Sequence, residues 1–149
     1  MNSQLTWDTL TILQAELSPI AGIRLQLSPA EENNIFSVLE RHPLDYRRKL
    51  HILGLFIIVT RAMQRHLESP ANHQELIRSI LDGDYLHSFY LQFAMKTGEL
   101  DLVAHLAPAI KRIQIRRAAG DYTKEDFAAH IDQYLTREAR QDSRTSKAI

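Results

Sequence analysis

The sequence predicts an all-α fold, a single helix bundle of about six to seven helices. Apolar residues recur at helical spacing along most of the 149-residue chain, whereas the strict apolar–polar alternation of a half-buried strand is hard to find. The five glycines and five prolines fall mostly between the helical segments. We therefore expect one helical domain at 1–140, followed by a frayed polar tail at 141–149.

Proline marks the limits of the first two helices. The first is predicted over about Ser3–Leu17 and ends at Ser18-Pro19, because proline disfavours the helical conformation in the preceding residue. After a linker at 20–27, Ser28-Pro29-Ala30-Glu31 has the composition of a helix start, since its serine can accept from free amides and its glutamate can reach back. The second helix is expected to end near His42-Pro43.

A third helix, from Leu44 or Asp45 to about Leu67, is expected to be the buried centre of the bundle. Between positions 52 and 59 its apolar residues surround the helix axis instead of forming a single stripe. Gly54 lies within this run, where glycine costs up to ~1 kcal/mol of helix propensity relative to alanine. A close contact with a neighbouring helix would explain its presence.

Turn-forming residues divide the segment that follows. A turn is predicted at Glu68–Asn72, and a short helix over about Gln74–Leu81. Asp82-Gly83-Asp84 is predicted to act as a bend and as the N-cap of a helix that extends to about Thr97. Gly98 is expected to cap the C-terminal end of that helix.

Two more helices are predicted in the last third of the chain. One extends over 99–118, with Pro108 inside it, where the loss of a backbone hydrogen bond predicts a kink or break. Gly120 is expected to end it. The residues Thr123–Asp126 are predicted to open the last helix, which continues to about Ala139.

Composition and charge exclude several functional classes. Eighteen basic and eighteen acidic residues give a net charge of zero, so no overall positive field attracts nucleic acid. Cysteine is absent, which excludes a disulfide framework and thiol chemistry and is typical of a reducing compartment. The apolar run Leu53–Val59 is far shorter than the ~20 residues of a membrane span, and no lysine or arginine precedes Arg24 to form a signal peptide. A cytoplasmic protein is expected.

Motifs for metal or nucleotide binding are not found in the sequence. None of the seven histidines has HExxH spacing, and neither a glycine-rich phosphate loop nor a GxSxG elbow is present. We therefore expect this chain to bind no metal or cofactor. Lys111, Arg112, Arg116 and Arg117 form a basic cluster that could bind a polyanion, but a solvated face near a helix C-terminus is the favoured interpretation, and no nucleic-acid partner is expected.

The segment Ile77–Arg117 resembles a known family. It contains Ile80-Leu81-Asp82-Gly83-Asp84-Tyr85-Leu86-His87-Ser88-Phe89-Tyr90 and then Lys96-Thr97-Gly98-Glu99-Leu100. This pattern is similar to that of the small, non-catalytic (component 1) subunit of bacterial two-component heptaprenyl or hexaprenyl diphosphate synthases, in which a Gly-Asp-Tyr turn opens a helix of aromatic and small residues. The resemblance implies a regulatory subunit in the synthesis of the menaquinone side chain, paired with a catalytic prenyltransferase in a heterodimer or larger complex.

The catalytic members of that family hold magnesium ions with two DDxxD segments, because a departing diphosphate needs concentrated positive charge and the metal needs clustered oxygen ligands. This chain has no adjacent pair of aspartates, and Asp82 and Asp84 are separated by a glycine. The resemblance therefore implies that Mg²⁺, farnesyl diphosphate and isopentenyl diphosphate bind to the catalytic partner, and that this chain is inert alone. The alternative is a stand-alone helical adaptor without prenyl chemistry.

The helix after the predicted turn has two apolar faces. The broader one is a core stripe of aromatic and aliphatic residues, namely Tyr85, Leu86, Phe89, Tyr90 and Phe93. A second face combines Leu91, Ala94 and Met95, with Leu91 and Met95 four residues apart. Another helix of the same chain or another subunit could cover it. The resemblance favours another subunit, and the isolated chain could also form a homodimer.

Overall fold

The computed structural model describes residues 2–67 and 72–148, and within them the chain forms α-helices and no strand. The six helices are α1 (Asn2–Glu16), α2 (Pro29–Arg41), α3 (Tyr46–Leu67), α4 (His73–Thr97), α5 (Leu100–Ala118) and α6 (Phe127–Ala148). A short 3-10 helix, Pro19–Ala21, follows α1. The predicted all-α fold is confirmed, while 68–71 of the predicted turn at Glu68–Asn72 lie outside the described residues.

The third helix is the centre of the bundle, as its composition predicts. Each of the other five helices contacts α3, and every residue from Ile52 to Val59 is buried. The glycine in this run allows α4 to approach closely, because a Cβ added at Gly54 would lie 2.9 Å from Cε1 of Phe93. Burial on all sides and a close-packed glycine together explain why this helix has no polar face over two turns.

Capping residues determine where α2 begins and where α4 ends. Oγ of Ser28 accepts a hydrogen bond from the amide of Glu31 at 3.2 Å, and Oε1 of Glu31 accepts from the amide of Ser28 at 3.1 Å. This is the capping box that the sequence predicts. Gly98 follows α4 with φ of 77°, a left-handed conformation that glycine adopts without strain, so the predicted C-cap is also confirmed.

Two predicted helix breaks are not present in the described residues. The helix predicted over Gln74–Leu81 and the one predicted up to Thr97 form a single helix, α4. Pro108 does not break α5. Its missing amide would have bonded to the carbonyl of Ala104, and both residues are exposed, so water can reach that carbonyl in its place.

The last helix begins later and ends later than predicted. Thr123 donates from its amide to Oδ1 of Asp121 at 3.0 Å in a turn, and Asp126 provides the cap, since its Oδ1 accepts from the amide of Ala129 at 3.0 Å. The helix continues through most of the predicted tail to Ala148. The apolar periodicity stops near Ala139, so the pattern predicted the end of the helix there. Polar residues without such periodicity can nevertheless extend a helix that is already formed.

Candidate functional site

The Asp82-Gly83-Asp84 segment lies in the middle of α4 and not at the start of a helix. The predicted bend and N-cap at these residues are therefore wrong. The N-cap of α4 is Asn72, whose Oδ1 accepts a hydrogen bond from the amide of Glu75 at 2.9 Å. Turn-forming residue types are present in the helix interior because this segment crosses the end of α3 and contacts its side chains.

Asp82 is a buried carboxylate held between two guanidinium groups. It is only 7% exposed, and its Oδ2 accepts from Nη2 of Arg65 at 2.6 Å while its Oδ1 accepts from Nε of Arg78 at 2.9 Å. Charge-assisted bonds of this length are among the stronger polar contacts in proteins. Because both oxygens are occupied by cations, Asp82 is poorly suited to bind a metal ion.

Gly83 and Asp84 complete the crossing of α4 over α3. Gly83 is buried, and a Cβ at this position would overlap the imidazole ring of His66. Asp84 Oδ1 lies 3.2 Å from Nε2 of the same histidine. The aspartate–glycine–aspartate sequence thus suits a close crossing, in which the glycine makes room for His66 and the two carboxylates bind side chains of α3.

The core face of α4 is the one predicted from the sequence. Leu86, Phe89, Tyr90 and Phe93 are buried, whereas Tyr85 lies at the edge of this face and its hydroxyl oxygen accepts from the amide of Ser18 at 3.0 Å. The Tyr90 side chain is fully enclosed, and its hydroxyl has no hydrogen-bond partner among the described residues. Burial raises the pKa of Tyr90 above the ordinary range, so its hydroxyl stays protonated.

A stripe of residues opposite this core face is exposed along the length of α4. We call it the α4 seam, and its members are Ile77, Leu81, Asp84, Ser88, Leu91 and Met95. Their spacing alternates between four and three residues, so at ~100° per residue all six lie within about 40° of one line. The exposed fractions of Leu81 and Met95 are 59% and 68%. An apolar stripe with this spacing is typical of a helix that packs against another helix.

The α4 seam differs from the predicted second face in two ways. Leu91 and Met95 belong to it, but Ala94 is fully buried in the core of this chain. Ile77 and Leu81 were missed, because the sequence predicted that they belong to a separate short helix. Had the helical spacing been continued through Asp82-Gly83-Asp84, the stripe would have been visible in the sequence.

The basic cluster near the end of α5 is partly neutralised. Nε of Arg112 and Nη1 of Arg116 lie 2.7 and 3.2 Å from Oε1 of Glu125, which precedes α6. Hydrogen bonding from Arg112 lowers the pKa of Glu125. These contacts join the end of α5 to the residues just before α6.

No family model, curated protein or solved structure matches this chain. Among the described residues, no cluster of three or more histidine, aspartate or glutamate side chains could hold a metal ion. None of the helices in the described part of the chain combines the length and apolar character needed to cross a membrane.

Proposed function

We propose that this chain is the non-catalytic subunit of a cytoplasmic two-component trans-polyprenyl diphosphate synthase of the heptaprenyl or hexaprenyl type. The resemblance of residues 77–117 supports this proposal. The observation that carries it is the α4 seam, which lies entirely within the resembling segment and has no covering helix among the described residues. A catalytic subunit packed on the seam would bury these exposed apolar side chains.

The dimensions of the seam suit a subunit interface. From Ile77 to Met95 it extends over 18 residues, or about 27 Å at 1.5 Å per residue. A helix or helical groove packed along this length, with flanking contacts, could approach the ~800 Å² per partner that a stable protein–protein interface buries. The apolar residues lie at both ends of the seam, so contacts at either end alone would leave part of the stripe exposed.

One polar feature restricts what can cover the seam. Asp84 is the charged member of the stripe, and its side chain is 66% exposed. In a parallel pair of two copies of this chain, the two Asp84 carboxylates would face each other and repel. A parallel homodimer is therefore disfavoured, whereas a different subunit that places a lysine or arginine opposite Asp84 would neutralise it.

In the proposed complex the chemistry belongs to the partner. Asp82 is engaged with two arginines, so the DDxxD carboxylates, Mg²⁺ and both diphosphate substrates would be those of the catalytic subunit. This chain would support the active conformation of that subunit and help to set the length of the product used for the menaquinone side chain. A bulky seam residue such as Met95 is suited to limit the product length, because there either is or is not room beside it for one more isoprene unit.

The first experiment combines this chain with a DDxxD prenyltransferase encoded beside it. The chain alone, supplied with Mg²⁺, farnesyl diphosphate and isopentenyl diphosphate, is expected to give no elongated product, whereas the mixture gives a defined long chain. Turnover by the purified chain alone would contradict the proposal. Failure to co-elute with the prenyltransferase or to change its products would favour a stand-alone adaptor.

The second experiment tests the seam with matched variants. Leu91→Glu/Met95→Lys keeps the net charge and is expected to leave the melting temperature nearly unchanged, but to weaken complex formation by more than about tenfold, because the charges are desolvated only in the complex. Leu100→Glu/Ile115→Lys introduces the same two charged residues at exposed apolar positions of α5 and should not affect pairing. Phe89→Ala, a core change, should damage both folding and pairing. Normal pairing by the seam variant would place the interface elsewhere.

A further inference from the structure

A pocket lined by arginines lies where the segment after α1 passes over α3 and α4. Its cavity is about 360 Å³, and its polar lining includes four arginines and one carboxylate. We call it the arginine pocket, and its charged members are Arg24, Arg61, Arg65, Arg78 and Asp82. The remaining lining residues include apolar Ile23 and the buried Leu86.

The charges of this pocket do not balance. Asp82 is its one carboxylate and is bound by Arg65 and Arg78. Arg61 is held by neutral groups, since its Nη2 donates to the carbonyl of Gln26 at 2.6 Å and its Nη1 donates to the side chain of Gln64. The lining therefore has three more positive charges than negative ones. Like charges gathered in a concave site repel each other and raise the local affinity for anions.

Neutral acceptors also help to position Arg78 and Arg61. Arg78 donates from Nε to Asp82 and from Nη2 to the carbonyl of Ala21, which fixes its plane. Nε of Arg61 is buried and has no acceptor among the described residues. A buried donor without a partner is costly, and an acceptor in the cavity would relieve that cost if it reached this group. Side chains held in place lose less conformational entropy when a ligand binds.

We propose that the arginine pocket binds a phosphate-bearing anion. The planar fork of the guanidinium group matches phosphate oxygens, and several such forks around one cavity can bind an anion of two or more negative charges. The volume lies within the range of small-molecule sites. This site is separate from the α4 seam, and its assignment does not depend on what covers the seam.

Calorimetric titration with sodium pyrophosphate tests the site, with orthophosphate as the smaller probe and sodium chloride at equal ionic strength as the background. Saturable binding of pyrophosphate above the chloride background is expected. If pyrophosphate releases no more heat than chloride does at equal ionic strength, the proposal is overturned, because general ionic screening would then explain the heat.

Matched variants locate the binding. Arg24→Gln/Arg61→Gln removes the two cations for which no carboxylate partner is described, and should weaken pyrophosphate binding by more than about tenfold. Lys111→Gln/Arg117→Gln removes two cations from the other basic cluster and should change the affinity by less than about twofold. Equal losses in both variants would overturn the assignment. Arg24→Glu alone changes an exposed side chain, so it gives the same test if the first variant does not fold.

Vesicle sedimentation identifies the source of the phosphate. Sedimentation with phosphatidic acid vesicles but not with phosphatidylcholine vesicles, reversed by pyrophosphate and lost in Arg24→Gln/Arg61→Gln, would indicate a lipid headgroup. Pyrophosphate binding without sedimentation would indicate a soluble phosphate ligand. Both results support the pocket as a phosphate site, whereas the absence of both overturns it.

Discussion

The two ends of α3 meet the neighbouring helices through ion clusters of opposite composition. Near the start of α3, Arg48 lies between two carboxylates, with its Nε 2.8 Å from Oε1 of Glu99 and its Nη2 2.8 Å from Oε2 of Glu138. Near the end of α3, a carboxylate, Asp82, lies between Arg65 and Arg78. The first cluster joins α3 to α6 and to the residue before α5, and the second joins α3 to α4.

The difference lies in what surrounds each cluster. Glu99 is only 6% exposed, and the hydroxyl of Tyr134 donates to Glu138 at 3.2 Å, so both carboxylates around Arg48 are bound by protein groups. The pKa of Tyr134 is raised to about 12, first by burial and then by the nearby Glu138 charge. The cluster around Asp82 opens instead onto a cavity with two more arginines. The cluster around Arg48 thus contributes to the packing of the helices. The cluster around Asp82 also joins two helices, and in addition it borders a cavity with excess positive charge.

The largest expected effect is the loss of Arg48. Arg48→Met keeps an unbranched side chain but leaves Glu99 buried and unpaired beside Glu138, and breaking a buried ion pair in this way costs about 3–5 kcal/mol. The measurement is the free energy of unfolding in urea. Arg112→Met is the control, because that arginine is 44% exposed and Arg116 still pairs with Glu125, so its loss should cost less than about 1 kcal/mol. Equal losses of unfolding free energy in the two variants would show that the cluster around Arg48 contributes no more to stability than an exposed ion pair does.

Substitution in the second cluster should reduce the free energy of unfolding by less. Asp82→Asn is expected to cost about 1.5–3 kcal/mol, since asparagine loses the charge but can still accept a hydrogen bond, and Arg78 is 55% exposed. Asp84→Asn, two residues away and more exposed, is the matched control and should cost little. If the arginine pocket binds phosphate, pyrophosphate should raise the melting temperature of Asp82→Asn more than that of the wild type, because a negative charge is then restored.

The glycine of the second crossing can be tested by adding one methyl group. Gly83→Ala improves helix propensity by up to ~1 kcal/mol, but its Cβ would overlap the His66 ring, so a net loss of about 1–2 kcal/mol in unfolding free energy is expected. In His66→Ala/Gly83→Ala the overlap is removed, and the double variant should be more stable than the sum of the single losses predicts. Additive losses would mean that Gly83 is needed for another reason.

The comparison also explains which features could be predicted from the sequence. The capping box at Ser28 and the buried run 52–59 depend on neighbouring residues of one helix, and both were confirmed. The role of Asp82-Gly83-Asp84 depends on Arg65 and His66 of another helix. A turn and a close helix crossing both favour glycine and aspartate, so composition alone could not separate them.

The candidate site could be predicted only in part, because some of its features also depend on contacts between helices. Leu91 and Met95 are exposed as expected of a second face, but the fate of Ala94 depended on how α4 rotates against α3. Ile77 and Leu81 could be assigned to the seam only once α4 was known to be continuous. The arginine pocket brings Arg24 together with Arg78, which are far apart in sequence, and no local pattern predicts such a meeting.

The smallest expected effect concerns how the stability contributed by Glu138, in the cluster around Arg48, depends on pH. Hydrogen bonding from Arg48 holds the pKa of Glu138 below its usual value of 4.5. In the unfolded chain this carboxyl takes up a proton near that value, whereas in the folded chain it stays ionised to lower pH. Its contribution to stability is therefore fully present well above pH 4.5 and is lost as the pH falls through the lowered pKa.

Glu138→Gln isolates this contribution, because glutamine keeps the shape and cannot titrate. We expect the variant to be less stable than the wild type by about 1 kcal/mol at neutral pH, since the side chain is partly solvated. The difference should shrink below about pH 4.5 as the wild-type carboxyl becomes protonated. Urea unfolding at a series of pH values measures it. A difference that stays constant on acidification would mean that Glu138 contributes through packing and not through its charge, and the ionic stabilisation of the first cluster would then depend on the Arg48–Glu99 pair alone.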